Sequence, residues 1–308
     1  MSKCLVTGGG GFIGSHLVEF LVGTGQSVRV LDDFSTGNPV NLQGLTSRIE
    51  LLKGSVTDMT LLERAVAGCD VIYHLAALPS VTKSVEDPVL VHEICATGTL
   101  RLLDAARRGG VRRVVFAASS SAYGDQPGDM RRESDALIPL SPYAAAKLAG
   151  EHYCSCATAV YGLETVRLRF FNVFGPRQDA KSPYSGVIAL FIAAMTQGRQ
   201  PTIYGDGLQA RDFVYVADVV QAMVKAAQAH KASGKVYNIG LGRSTSVLDL
   251  VRDLNSILGT KLEPIHAPPR AGDVRMSQSD ISAARSEIGY DPQISFQEGL
   301  KRTVESQK

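Results

Sequence analysis

Apolar and polar positions along this chain repeat in two periods that take turns. Cys4-Leu5-Val6 is a short unbroken apolar run of the kind that makes a strand buried on both faces. A glycine-packed turn and a helix follow. A second strand then runs from Ser27 to Leu31 and closes on Asp32 and Asp33. The pattern predicts further strands at Ile49 to Lys53, Val71 to Leu75, Val114 to Ala118 and Thr165 to Phe170. Between them it predicts helices at Met59 to Ala67, Val85 to Arg108 and Tyr143 to Tyr161. Such alternation makes an α/β fold, a Rossmann-type doubly wound parallel sheet with right-handed crossovers and helices on both faces.

From Asn172 the pattern loosens. A polar stretch from Pro176 to Tyr184 leads to an apolar helix at Gly186 to Gln197, and Tyr204-Gly205-Asp206-Gly207 marks a turn. A strand at Phe213 to Val216, a helix at Val219 to Ala229 and a strand at Val236 to Ile239 read as a return to the first domain. The expected division is therefore a dinucleotide domain of 1–171 and 212–239, with a smaller α/β substrate lobe of 172–211 and 240–308. Ligands in such sheets gather beyond the carboxyl ends of the strands. This directs attention to Asp58, to His74 through Ala77, to Ser119-Ser120-Ser121 and to Asn172.

Composition narrows the classes. At 308 residues, 44% apolar and 20% charged, the chain reads as a globular protein too long for one small core. A formal charge of +2 without a Lys/Arg block argues against a nucleic-acid partner, and no signal peptide or spanning segment argues against a membrane. The five cysteines are irregularly spaced, Cys154-x-Cys156 lies in a predicted helix, and the six histidines form no i,i+4 pair. No metal site is expected, and a reducing cytoplasm is.

Two motifs carry chemistry. Gly9-x-Gly11-x-x-Gly14 and Gly8-x-x-Gly11-x-x-Gly14 both fit the turn after the first strand. Glycines there permit a tight turn, close approach to a pyrophosphate and close helix–strand packing, with the N–H groups near Phe12 and Ile13 facing the anion. Asp32 at the end of the second strand suits the two hydroxyls of a ribose and repels a 2′-phosphate, and no Arg or Lys follows in 34–38. NAD is therefore favoured over NADP. The second motif is Tyr143-Ala-Ala-Ala-Lys147, whose four-residue spacing puts phenol and ammonium on one helix face. A free phenol titrates near ~10, so an adjacent cation and the positive nicotinamide ring would be needed to make Tyr143 a base.

TGGGGFIG, HLAA, the serine run before Tyr123-Gly124, SPYAAAK, RFFNVFGPRQ, YGDGLQARDFVYVAD and PPRAGDVRMS occur in order over nearly the whole chain. Together they closely resemble the extended short-chain dehydrogenase/reductase family, and within it the bacterial UDP-glucose and UDP-N-acetylglucosamine 4-epimerase type. The resemblance implies Tyr143 as acid/base and Lys147 on the nicotinamide ribose. It also implies a serine of the 119–121 run on the substrate's 4-hydroxyl, with Ser119 favoured by its distance from Tyr123-Gly124 and Ser120 or Ser121 left open. It places Asp32 and Asp33 at the adenine ribose, Asp58 and Met59 at adenine, and Leu75, Ala76 and Ala77 along the dinucleotide. Asn172 and Arg211 match groups on the substrate diphosphate, and Arg270 and Asp273 match groups near the UDP phosphate and ribose. Thr202 to Tyr204 matches the uracil edge, and Ser80 lies on a loop expected to touch the sugar.

Arginines suit a diphosphate, although Arg211 followed by Asp212 also reads as a local ion pair. Ser277 stands where the family has either a bulky tyrosine or a small residue. The small one implies room for a 2-acetamido group, the alternative being that Ser277 points elsewhere. Cys95 departs from the Asn common among relatives. The implied reaction oxidises C4 to a transient 4-keto sugar, which turns about its tether and is reduced on the other face. A UDP-glucuronate 4-epimerase needs the same steps. A dehydratase or decarboxylase is disfavoured, because Ser121-Ala122 stands where such relatives carry a carboxylate. A catalytically silent NAD-binding protein is the reading from outside enzymes. Apolar positions beyond one stripe (Leu90, Leu102, Leu103, Ala149, Val160) imply a homodimer by the same resemblance.

Overall fold

Seven parallel strands form the central sheet, in the order Lys235–Ile239, Glu164–Phe170, Arg113–Ser119, Cys69–His74, Lys3–Thr7, Ser27–Asp32, Ile49–Lys53. The computed structural model describes residues 3–179, 186–269 and 275–307. Residues of the inner strands are buried on both faces, as their unbroken apolar runs require, with four of the five residues of Lys3–Thr7 buried. The strand order reverses between Lys3–Thr7 and Cys69–His74, whose last residues, Thr7 and His74, are paired in register. A crevice opens beyond the carboxyl ends of strands at such a switch point.

Two apolar layers cover the sheet. One joins Leu17, Val18 and Leu21 of the helix Phe12–Gly23 to Val219 and Met223 of the helix Val216–Gln228, across Val6, Val30 and Leu168. The other packs Leu62 and Leu102 over Leu5, Ile72 and Phe116. Two buried arginines tie helix ends to the sheet. Arg29 donates to the carbonyls of Arg64, Ala65 and Ala67 behind the helix Met59–Val66. Arg113 does the same for Ala226, Ala227 and Ala229 behind Val216–Gln228. A cation there meets carbonyls without helical partners and the negative end of the helix dipole.

The segment expected as one helix from Val85 to Arg108 is broken. Val81–Glu86 and Pro88–His92 are separate turns, Glu93–Thr97 is a π-turn, and Gly98–Arg108 is a regular helix. Pro88 has no N–H to donate and starts a new turn, while the Asp87 side chain caps Leu90 N–H. Of the positions expected beyond the core-facing stripe, Leu102 and Leu103 are in fact buried, whereas Leu90 and Val160 are exposed.

After the sixth sheet strand, Asn172–Phe174 pairs in parallel with Phe213–Tyr215. Their aromatic residues join Ile188, Ile192, Leu250, Leu254 and Phe296 in a further core. Phe12 and Ile13 pack against that core, and Ile13 also packs against the first of the two layers over the sheet.

Candidate active site

The first strand delivers the chain to Gly8, whose φ of +72° suits glycine. A Cβ at Gly8 would lie 2.8 Å from the Ala76 nitrogen, and one at Gly14 would lie 2.1 Å from the Gly8 carbonyl oxygen. Both glycines are thus demanded by backbone approach, Gly8 to the loop of Leu75, Ala76 and Ala77 and Gly14 to the turn itself. Gly11 precedes the helix Phe12–Gly23 and offers no side-chain cap, and the first turn holds no acid. Its N–H groups, Phe12 and Ile13 among them, therefore remain suited to an external anion.

Asp32 closes the second strand beside this turn. It is 7% exposed, and its two carboxylate oxygens accept the N–H groups of Gly10 (2.7 Å) and Phe34 (2.8 Å). Burial raises its pKa, opposed by those two hydrogen bonds. Each oxygen keeps a second lone pair, which suits hydroxyl donors and repels a phosphate. Asp33 accepts the N–H and hydroxyl of Ser35. Asp58 is an exposed cap of the helix that begins at Met59, accepting Leu61 N–H, so this carboxylate already has a structural task. These features, the cradle a Cβ would fill and the acid beside it, fit NAD.

Across the crevice, the helix Pro142–Tyr161 starts with Ser141 capping Ala144 N–H and Pro142 at its first position. It brings Tyr143 towards the end of the strand Arg113–Ser119, where Ser119 is the hydroxyl neighbour that acts to lower the phenol's pKa. Ser119 also lies 2.8 Å from Ser121 Oγ and accepts Ser121 N–H, while Ser120 opens the 3-10 turn between them. Among the three serines of the run, this geometry favours Ser119 as the partner of Tyr143.

Burial and the Cys95 thiol push the Tyr143 pKa well above its ordinary value, and the Ser119 hydrogen bond only partly offsets this. In this state the phenol is an acid. The Lys147 ammonium lies 4.3 Å from the centroid of the Phe116 ring, a cation–π contact, and burial lowers its pKa. Sequence reasoning expected this cation against the phenol; in the structure its described contact is with Phe116.

The other predicted residues are spread over several elements. Ser80 caps the turn Val81–Glu86 by accepting Lys83 N–H. Asn172 donates from Nδ2 to the Asp212 carbonyl. Arg211 and Ser277 stand opposite each other in register on neighbouring parallel strands. Thr202 and Tyr204 lie exposed on a short strand paired with Ile265–Ala267. Arg270 and Asp273 lie outside the described residues. The ion pair read from Arg211-Asp212 is replaced by something else: Asp212 is fully buried and accepts the N–H groups of Leu241, Gly242 and Ser279 and the Ser279 hydroxyl. Among the described residues no group of His, Cys, Asp and Glu is placed to hold a metal ion. No helix among them is long and apolar enough to cross a membrane.

Sequence reasoning missed a buried network behind Tyr143. Glu151, on the same helix, pairs with Arg169 through both oxygens. Arg169 donates to the Tyr123 hydroxyl, which donates to Asn238 Oδ1 at 2.7 Å. Asn238 in turn donates to the carbonyls of Arg131 and Asp280. The strand Met276–Ser279 pairs with Met130–Arg131. One chain of hydrogen bonds thus runs from the helix of Tyr143 to the strand of Ser277. The alternation of charged with apolar residues in Arg167-Leu168-Arg169 was the one available hint.

Residues 4–240 match the NAD dependent epimerase/dehydratase family. The chain is 41% identical to the UDP-glucose 4-epimerase of Mycolicibacterium smegmatis over 98% of its own length and 97% of that protein. It superposes on the UDP-glucose 4-epimerase of Thermotoga maritima, solved with UDP-glucose, with a TM-score of 0.94 at 39% identity, covering 99% and 98% of the two chains. Against the UDP-N-acetylglucosamine 4-epimerase of Methanobrevibacter ruminantium, solved with UDP-N-acetylmuramic acid, the TM-score is 0.95 at 37% identity, covering 99% and 97%.

Proposed function

The chain belongs to the NAD dependent epimerase/dehydratase family, and on that premise we propose that it is a UDP-hexose 4-epimerase. It interconverts UDP-glucose and UDP-galactose, and UDP-GlcNAc and UDP-GalNAc, through a 4-keto sugar. The observation that carries this reading is the Tyr143 phenol set against Ser119 at the end of a central strand, on the same helix as the buried Lys147.

NAD, when bound, would supply a reversible hydride acceptor for C4, so that no net redox change results. The chain's own residues do the rest. Tyr143 removes the O4 proton and returns it, with Ser119 holding O4 in line. Lys147 holds the nicotinamide ribose and Asp32 the adenine ribose, while Leu75, Ala76 and Ala77 line the dinucleotide. Asn172, Arg211 and, outside the described residues, Arg270 and Asp273 hold the UDP end. The sugar stays loosely held so that it can turn. The cost of a buried phenolate is severe in the state described, since burial opposes the charge; a positive charge brought beside it acts against that cost.

Elimination chemistry, the other reaction in the family's name, needs a carboxyl acid/base near the hydroxyl, and Ser121-Ala122 supplies none. The reading includes a cofactor domain of 1–171 and 212–239 under a substrate lobe of 172–211 and 240–308. It also includes pairing of two copies through the helices bearing the exposed Val85, Val89, Leu90 and Val160. The test is incubation of the purified protein with UDP-galactose and no added NAD. Appearance of UDP-glucose supports the proposal, and bound NAD without turnover overturns it in favour of a silent nucleotide binder.

A further inference from the structure

At the switch point of the sheet, Thr7 Oγ1 lies 2.7 Å from His74 Nδ1, and His74 Nε2 lies 3.0 Å from Thr99 Oγ1. Thr99 Oγ1 lies 2.7 Å from the Cys95 carbonyl, and the Ala76 nitrogen lies 3.3 Å from Thr7 Oγ1. Thr7, His74, Cys95 and Thr99 are all 0–1% exposed. The chemistry fixes the direction of every proton. A carbonyl only accepts, so the Thr99 hydroxyl spends its one hydrogen on Cys95 and faces His74 as an acceptor. His74 must then carry its proton on Nε2. A neutral ring has one N–H, so Nδ1 is bare and accepts the Thr7 hydroxyl, and Thr7 oxygen accepts Ala76 N–H.

A threonine that bonds back to the carbonyl four residues earlier is ordinary in a helix. Here the same oxygen also accepts from the strand Cys69–His74, and the carbonyl belongs to the π-turn Glu93–Thr97. The far end of the line meets the catalytic helix. A Cβ at Gly150 would lie 2.9 Å from Phe116 Cζ, 3.3 Å from Thr99 Cγ2 and 3.4 Å from the Cys95 oxygen. Phe116 is also the ring under the Lys147 ammonium and lies 5.7 Å, centroid to centroid, from His74.

We propose that Ala76–Thr7–His74–Thr99–Cys95 is a strut that sets the spacing between the dinucleotide loop and the helix of Tyr143 and Lys147, with His74 and Thr99 as positioning residues. The proposal rests on the epimerase reading for its consequence in turnover, but not for its geometry. Near-attack geometry is steep in distance, and a misplacement of about 1 Å costs about a hundredfold in rate. A strut that slackens should therefore appear in kcat before it appears in binding.

Two measurements test it. In the wild-type protein, imidazole 15N NMR at pH 7 reads the tautomer directly, without reference to activity. His74, assigned by loss of its signals in His74→Gln, should carry the proton on Nε2; a proton on Nδ1, or on both nitrogens, overturns the strut. For turnover, Thr99→Val removes both bonds of that hydroxyl at nearly constant volume, and Thr99→Ser restores them. Thr99→Val should lower kcat about tenfold or more, with KM and NAD per chain unchanged, and Thr99→Ser should recover most of the loss. An unchanged kcat, or a loss that merely follows NAD content or melting temperature, contradicts it. Should Thr99→Val fail to fold, the wild-type spectrum decides alone. Should the wild type not epimerise at all, the function falls while the tautomer still decides the strut.

Discussion

Ser119 faces the Tyr143 phenol, setting the last residue of a central strand against the first turn of the helix facing it. That contact favours one serine from a run of three, which the sequence alone left open. It also opposes the burial that raises the phenol's pKa. Ser119→Ala should lower kcat about a hundredfold, the ordinary range for a group taking part in proton transfer, while Ser120→Ala changes it about twofold at most. Steady-state rates on the two variants check this, and equal losses would contradict the choice of Ser119.

Register makes the second prediction. Ser277 lies opposite Arg211; with Arg211 proposed to hold the diphosphate, a side chain at 277 would stand near the tethered end of the substrate. Ser277→Tyr should reduce turnover of UDP-GlcNAc by about tenfold or more relative to UDP-glucose, because crowding discriminates on that scale. Competition between the two nucleotide sugars reads the ratio. A ratio unchanged from the parent would mean that Ser277 does not face the acetamido group.

A third concerns acid. Burial, with the Lys147 charge adding to it, lowers the His74 pKa to about 3 from 6.5. Between those values the unfolded chain takes up a proton there that the folded chain refuses. Its contribution to stability is full above pH 6.5 and is lost at about 1.4 kcal/mol per pH unit as pH falls towards 3. The buried carboxyls Asp32, Asp212 and Asp218 have raised pKa values and act in the opposite direction, so the comparison must be between variant and parent. Urea unfolding at pH 7.5 and pH 5 should show the gap between the parent and His74→Gln narrowing in acid. A gap that stays constant would contradict the assignment.

Much of the fold is local information and was legible. Ile49–Lys53 matches its expected bounds, and Tyr143 and Lys147 sit near the start of one helix as their spacing required. The break near Pro88 was also written in the chain, but the apolar periodicity on either side hid it. What could not be read is long-range. Thr7 and His74 are 67 positions apart and pair only because the sheet reverses its order there. Asp212 looks like a partner for its neighbour Arg211 until the fold turns it inward onto Leu241, Gly242 and Ser279. Side-chain spacing within one element predicts which face a residue shares. It does not predict which atoms from another element will reach it, as Lys147 over Phe116 illustrates.

The central claim is tested most directly by the rate of UDP-galactose to UDP-glucose conversion by Tyr143→Phe, measured beside its NAD content and melting temperature. The variant keeps the ring and removes only the hydroxyl. The account expects a loss of about a thousandfold or more, within the range for a general acid/base, with NAD still bound and the fold intact. Interconversion at the parent's rate would contradict it.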